Sequence, residues 1–190
     1  MQLVPTRRPS TAFLLMPLTL LTPLFLGSCG HDDDDDDGGG GGPPGTGVLC
    51  DGAVDYLLDG VLQTADSANP NELGVCTVDF ANSVVQIQAN VNAGATSTSL
   101  VLLFNGVPGP GPATYTPLTV TYNIIDNGTG LPTESYLTIT PTDFDTTFTQ
   151  LDEMGATWSF TGGSLTGGPI GGAPGTVDVT NGSGDHQVCN

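Results

Sequence analysis

The chain is 190 residues long with a formal charge of −18, and its basic residues, Arg7 and Arg8, both lie in the first ten positions. From Gly30 onward there are 20 carboxylates and neither Lys nor Arg. That excludes nucleic-acid binding, which needs cations to displace condensed counterions, and it excludes a Schiff-base lysine, a P-loop lysine and an arginine finger.

Residues 1–28 predict a secretory signal. Arg7 and Arg8 make a positive n-region, and Ala12 to Leu26 is an apolar run broken by Pro17 and Pro23. The run is too short for a spanning helix, which needs about 20 apolar residues, but it fits an h-region. It ends in Leu26-Gly27-Ser28-Cys29. A bulky apolar residue and two small residues before a cysteine closely resemble the bacterial lipobox. The resemblance implies that Cys29 is acylated, becomes the new N-terminus and ties the chain to a membrane. Gly30 follows in place of the acid that retains enterobacterial lipoproteins at the inner membrane, which implies the outer membrane. The run Asp32 to Asp37 resembles the surface-export signal of some Bacteroidota lipoproteins. The arginine-based n-region and the lack of lysine depart from that group, and glycine-rich tethers also occur in proteobacterial lipoproteins. The periplasmic face and the cell surface both stay open.

Residues 29–47 predict a disordered tether. The Asp run, Gly38 to Gly42 and Pro43-Pro44-Gly45-Thr46-Gly47 offer no large apolar residue to bury against the entropy of ordering. A coil of this length spans about 23 Å before charge repulsion stretches it. No glycine-punctuated loop fixes the carboxylates around a cation, so His31 and the aspartates read as a solvated spacer rather than a metal site.

Residues 48–190 predict one all-β domain, an antiparallel sandwich or partly open barrel of about nine or ten strands. Asp59-Gly60, set between Tyr56-Leu57-Leu58 and Val61-Leu62, signals a tight hairpin. Val85, Ile87, Ala89 and Val91 alternate with Gln86, Gln88 and Asn90. Leu100 to Phe104 is continuously apolar, as in a strand covered on both faces. Pro108 to Pro112 predicts a rigid loop. Leu137 and Ile139 form the apolar face of another strand. Phe148 to Met154 allows one helical turn. Ala156, Trp158 and Phe160 alternate with Thr157, Ser159 and Thr161, which reads as a core strand. Gly162 to Gly175 predicts a long loop, and Val177 and Val179 open a last strand. Asn105-Gly106, Asn127-Gly128 and Asn181-Gly182 mark strand ends. The layout resembles small uncharacterised all-β lipoprotein domains of bacterial envelopes, with Ala113-Thr114-Tyr115 and Gly155-Ala156-Thr157-Trp158 matching recurring short segments. That resemblance carries no activity.

With Cys29 lipidated, Cys50, Cys76 and Cys189 are left. Outside the cytoplasm an odd set suggests one disulfide and one free thiol. Cys76 shares a strand face with Val78 and Phe80 and reads as buried, so Cys50–Cys189 ranks ahead of Cys50–Cys76. A zinc site with His186 lacks a close Cys pair. His186 has no nucleophile elbow to serve and reads as a strand-edge residue, with Asp185 on the opposite face. Glu134, Asp143, Asp145, Asp152 and Glu153 are the acids available to a small glycosidase, and Asp143-Phe144-Asp145 lacks the rest of a calcium loop. Tyr115 and Tyr136 are the freest aromatics for a ligand surface. The expectation is therefore an outer-membrane lipoprotein whose β-domain is structural or binds a glycan or an envelope protein. It has no catalytic residue, metal or cofactor. The rivals are a carbohydrate-binding module and, behind it, a carboxylate-dependent hydrolase.

Overall fold

The structure, a computed structural model, describes residues 46–170 and 175–188. The signal, nearly all of the tether, Cys29 and Cys189 lie outside these, and of Cys50 only the backbone is described. The fold is all-β. Eleven strands are formed: β1 (Thr46–Leu58), β2 (Val61–Asp66), β3 (Glu72–Asp79), β4 (Val84–Asn92), β5 (Thr96–Asn105), β6 (Ala113–Tyr115), β7 (Thr119–Asp126), β8 (Leu131–Ile139), β9 (Thr146–Leu151), β10 (Gly155–Pro169) and β11 (Gly175–Val188). They join one antiparallel sheet in the order β11-β1-β3-β4-β5-β7-β8-β10-β9-β6, with β2 on β1. A further pairing of β10 with β11 brings the sheet round on itself, so the architecture is a nearly closed barrel.

The period-two pattern explains the wall. On β4, Val85, Ile87 and Ala89 are fully buried while Gln86 and Gln88 point outward. On β5, Leu100, Leu102 and Phe104 fill the core and Val101 and Leu103 are half-buried outside. Asp59 and Gly60 take φ of 48° and 81°, the left-handed pair that a two-residue hairpin needs between β1 and β2. That hairpin is clipped to β11 by Asp59 N donating to Asp178 O at 2.9 Å and Asp178 N donating to Asp59 Oδ1 at 2.9 Å. The core residues described run from Val54 to Val179, nearly all on strands, with Val107 in the loop after β5 and Phe144 in a short 3-10 turn.

Several expectations are corrected. Gly162 to Gly175 is not a long loop, because β10 continues to Pro169 and β11 starts at Gly175. Gly162 and Gly167 are places where backbones meet too closely for a side chain. A Cβ on Gly162 would lie 2.0 Å from Val179 O, and one on Gly167 2.1 Å from Ser135 O. Asn181-Gly182 lies inside β11 rather than at a strand end. Asn181 at φ 51° sits across from the bend at Gly162, φ 81°. Phe148 to Met154 is not helical. Thr146, Phe148 and Leu151 are buried along β9, and the only helical turn in the described residues is a short 3-10 turn at Thr142–Phe144. Leu137 and Ile139 face outward at 40% and 66% exposure, because Tyr136 takes the inward phase of β8. β1 starts at Thr46.

Candidate ligand-binding site

Closure of the barrel sets β1, β11 and β10 side by side, pairing Ala53 with Asp185, Asp55 with Ser183 and Thr157 with Asp185. On the outer face the small residues leave a shallow hollow of about 320 Å³ lined by Ala53, Asp55, Thr157, Trp158, Ser183, Gly184 and Asp185. Asp55 Oδ1 accepts the Thr64 hydroxyl at 2.6 Å, and Asp185 Oδ1 accepts the Thr157 hydroxyl at 3.1 Å. Each carboxylate keeps lone pairs to spare. The hollow offers charged acceptors and hydroxyls, and the buried Trp158 lies behind Gly184.

The local sequence makes this possible. Trp158 pairs with Gly184 and Phe160 with Gly182, so large aromatics on β10 face residues without side chains on β11. A Cβ on Gly184 would fall 2.5 Å from Trp158 Cζ2. The two rings stack with centroids 5.9 Å apart and planes at 3°, and Phe144 packs on Phe160 at 5.6 Å. Trp158 is 2% exposed, the core residue its alternation predicts. Its Nε1 has no partner among the described residues.

Alternation also separates Asp185 from His186, the first exposed and the second 1% exposed. His186 is thus an interior residue and not a strand-edge one. It pairs with Gly52 on one side and Ala156 on the other, and its ring occupies the space a Cβ on Gly52 would need, with Nδ1 at 2.7 Å. Neither ring nitrogen has a hydrogen-bond partner among the described residues. Burial lowers its pKa, and the neighbouring Asp185 carboxylate only partly opposes this. The folded state therefore binds its proton less readily than the unfolded chain. The stability this gives is full above the ordinary imidazole pKa of about 6.5 and is lost as pH falls through and below it. Thermal melts between about pH 7.5 and 5.5, above the usual carboxylate range, are expected to fall with acidification, and His186→Gln is expected to flatten the slope.

The expected ligand tyrosines are set apart. Tyr136 is 6% exposed inside β8, its ring 6.2 Å from that of Tyr122. Its hydroxyl donates to Glu134 Oε2 at 2.5 Å, and that bond, with burial behind it, pushes its pKa up to about 12. Tyr115 packs on Phe148 at 6.0 Å on the short β6. Tyr56 and Tyr122 complete an interior cluster near Thr98, with both phenols raised chiefly by burial. Tyr56 Oη is left without a hydrogen-bond partner among the described residues. Three of the candidate acids, Glu134, Asp145 and Asp152, serve separate local bonds. Asp152 accepts from Met154 N at 2.7 Å and Gly155 N at 2.9 Å, and Asp145 accepts from the Thr116 hydroxyl. Among the described residues no cluster of three His, Cys, Asp or Glu side chains could hold a metal. Asp55, Ser183 and Asp185 were not legible as a site, although alternating Gly182-Ser183-Gly184 opposite Trp158-Ser159-Phe160 is the pattern that builds it.

No family model matches the chain, and no curated protein or solved structure matches it either.

Proposed function

We propose that this chain is a lipid-anchored protein of the cell envelope, with a non-enzymatic β-barrel that serves a structural or binding role. The observation that carries the reading is Leu26-Gly27-Ser28-Cys29 placed directly behind the apolar run from Ala12. Acyl chains on Cys29 would each contribute about 0.8 kcal/mol per buried methylene, enough together to hold a folded domain on a bilayer. Gly30 after the cysteine supports the outer membrane, on its periplasmic face or at the cell surface. The small all-β envelope lipoprotein domains that this layout resembles fit the same role.

Within that role a carbohydrate is the ligand class best supported. Asp55, Asp185, Thr157 and Ser183, with the buried Trp158 behind them, supply the hydroxyl-binding chemistry a neutral glycan needs. A carboxylate-dependent hydrolase has less support, since Glu134, Asp145 and Asp152 each serve a separate local hydrogen bond.

Fractionation of cells is expected to place the wild type with the membranes and Cys29→Ala in the soluble fraction. Equal release of both overturns the anchor. Titrating the released protein with glycans is expected to change Trp158 fluorescence, with the change lost in Asp185→Asn.

A further inference from the structure

Every outward position on β4, β5, β7 and β8 is uncharged. β4 presents Val84, Gln86, Gln88 and Asn90, and β5 presents Ser97, Ser99, Val101 and Leu103. β7 adds Thr119, Thr121 and Asn123, and β8 adds Ser135, Leu137 and Ile139. The two acids these strands carry are spent elsewhere. Asp126 caps the turn after β7 by accepting from Gly128 N and Thr129 N, and Glu134 takes the Tyr136 hydroxyl. The outward acids are Asp79, which ends β3 and accepts from Asn82, and, across the barrel on β1, β2 and β11, Asp55, Asp66, Asp178 and Asp185.

The register sharpens the pattern. One rung reads Gln88, Val101, Thr121, Leu137 and the next Gln86, Leu103, Thr119, Ile139. Two rungs of four residues thus put aliphatic side chains on β5 and β8 with threonines between. Leu118, 40% exposed, extends the same edge.

We propose that this neutral wall is the surface through which two copies of the chain associate face to face. The charge distribution selects the occupant. With no Lys or Arg after Arg8, one copy cannot pair its acidic side with another, so two equally acidic copies repel least when their acids point away from the contact. The neutral wall is the broad face that allows this, and a twofold contact needs a patch that complements itself. A cationic partner would be drawn to the opposite side. Four strands at about 4.8 Å spacing and about 30 Å length give a flat area of roughly 600 Å². Side-chain relief raises this toward the roughly 800 Å² per partner of a standard interface. Pairing of the sheet around the barrel leaves the faces, rather than long open edges, for such contact.

Sedimentation equilibrium on the chain from Gly30 to Asn190, which holds every described core residue, tests this. A monomer–dimer equilibrium is expected, tightening from low to high sodium chloride as the remaining repulsion is screened. Leu137→Glu and Ile139→Glu, both at exposed positions, are expected to weaken it by at least about tenfold, with circular dichroism unchanged. Asp185→Asn, on the far side, is expected to leave it intact. A monomer at every concentration and salt, or a dimer indifferent to both glutamates, overturns the proposal. A monomer that cosediments with phosphatidylcholine vesicles also overturns it and makes the wall a lipid surface.

Discussion

Replacing Gly182 with alanine is expected to destabilise the barrel by about 3 kcal/mol, at the upper end of overpacking costs because a stacked ring must move. The new Cβ would sit 2.0 Å from Phe160 Cζ and 2.1 Å from Cε1. The ring has little room to retreat. It stacks on Trp158 at 5.9 Å, packs against Phe144 at 5.6 Å and is 5% exposed. Nor can β11 move away freely, since it is paired with β1 on one edge and β10 on the other. Urea unfolding followed by Trp158 fluorescence measures the loss. Gly109→Ala is the control, because a Cβ there meets nothing within 4 Å. Gly182→Ala combined with Phe160→Leu is expected to recover part of the deficit. A Gly182→Ala protein as stable as the wild type would mean that the ring does not lie over the glycine.

The same pair explains what could be read from the sequence. Ala156, Trp158 and Phe160 announce a core strand because three inward residues in a row fix the phase of the alternation. Val85, Ile87 and Ala89 do so for the same reason. Leu137 and Ile139 are only two, and Tyr136, offset by one residue, outweighs them through its packing on Tyr122 and its bond to Glu134. A slip of one residue turns a strand over, so the apolar pair ends up on the outer wall. The glycines of β10 and β11 read as loop because their use is tertiary. They admit a neighbouring carbonyl or an aromatic ring, and nothing adjacent in sequence records that neighbour. The hollow is illegible for a related reason. Asp55 and Asp185 meet only because the last strand returns to pair with the first.

The other large effect is expected from a disulfide between Cys50 and Cys189. The backbone of β1 supplies an argument beyond their positions at the two ends of the domain. Leu49 pairs with Val188 and Asp51 with Gln187, so Cys50 is the unpaired residue of the irregularity between the two outermost rungs of the β1–β11 ladder. Cys189 follows Val188 directly in sequence. On its other edge β1 pairs Val48 with Thr77, the residue after Cys76 on β3. Position in the chain thus allows either bond, and the burial of Cys76 favours the first. Cys76 is a free thiol, fully buried, and burial pushes its pKa up to about 12. A thiol held neutral and out of reach is a poor partner for exchange. Closing a loop of roughly 140 residues stabilises by about 5 kcal/mol in the chain-entropy account, and engineered cases often give less. It would also fasten β1 to β11 where the barrel closes and its ends would otherwise fray. Non-reducing peptide mapping of the protein is expected to recover a Cys50–Cys189 peptide. Cys76 should resist alkylation until the chain unfolds, and reduction should lower the melting temperature. A Cys50–Cys76 peptide, or three free thiols, would overturn the clasp and leave the β1–β11 seam held by its hydrogen bonds alone.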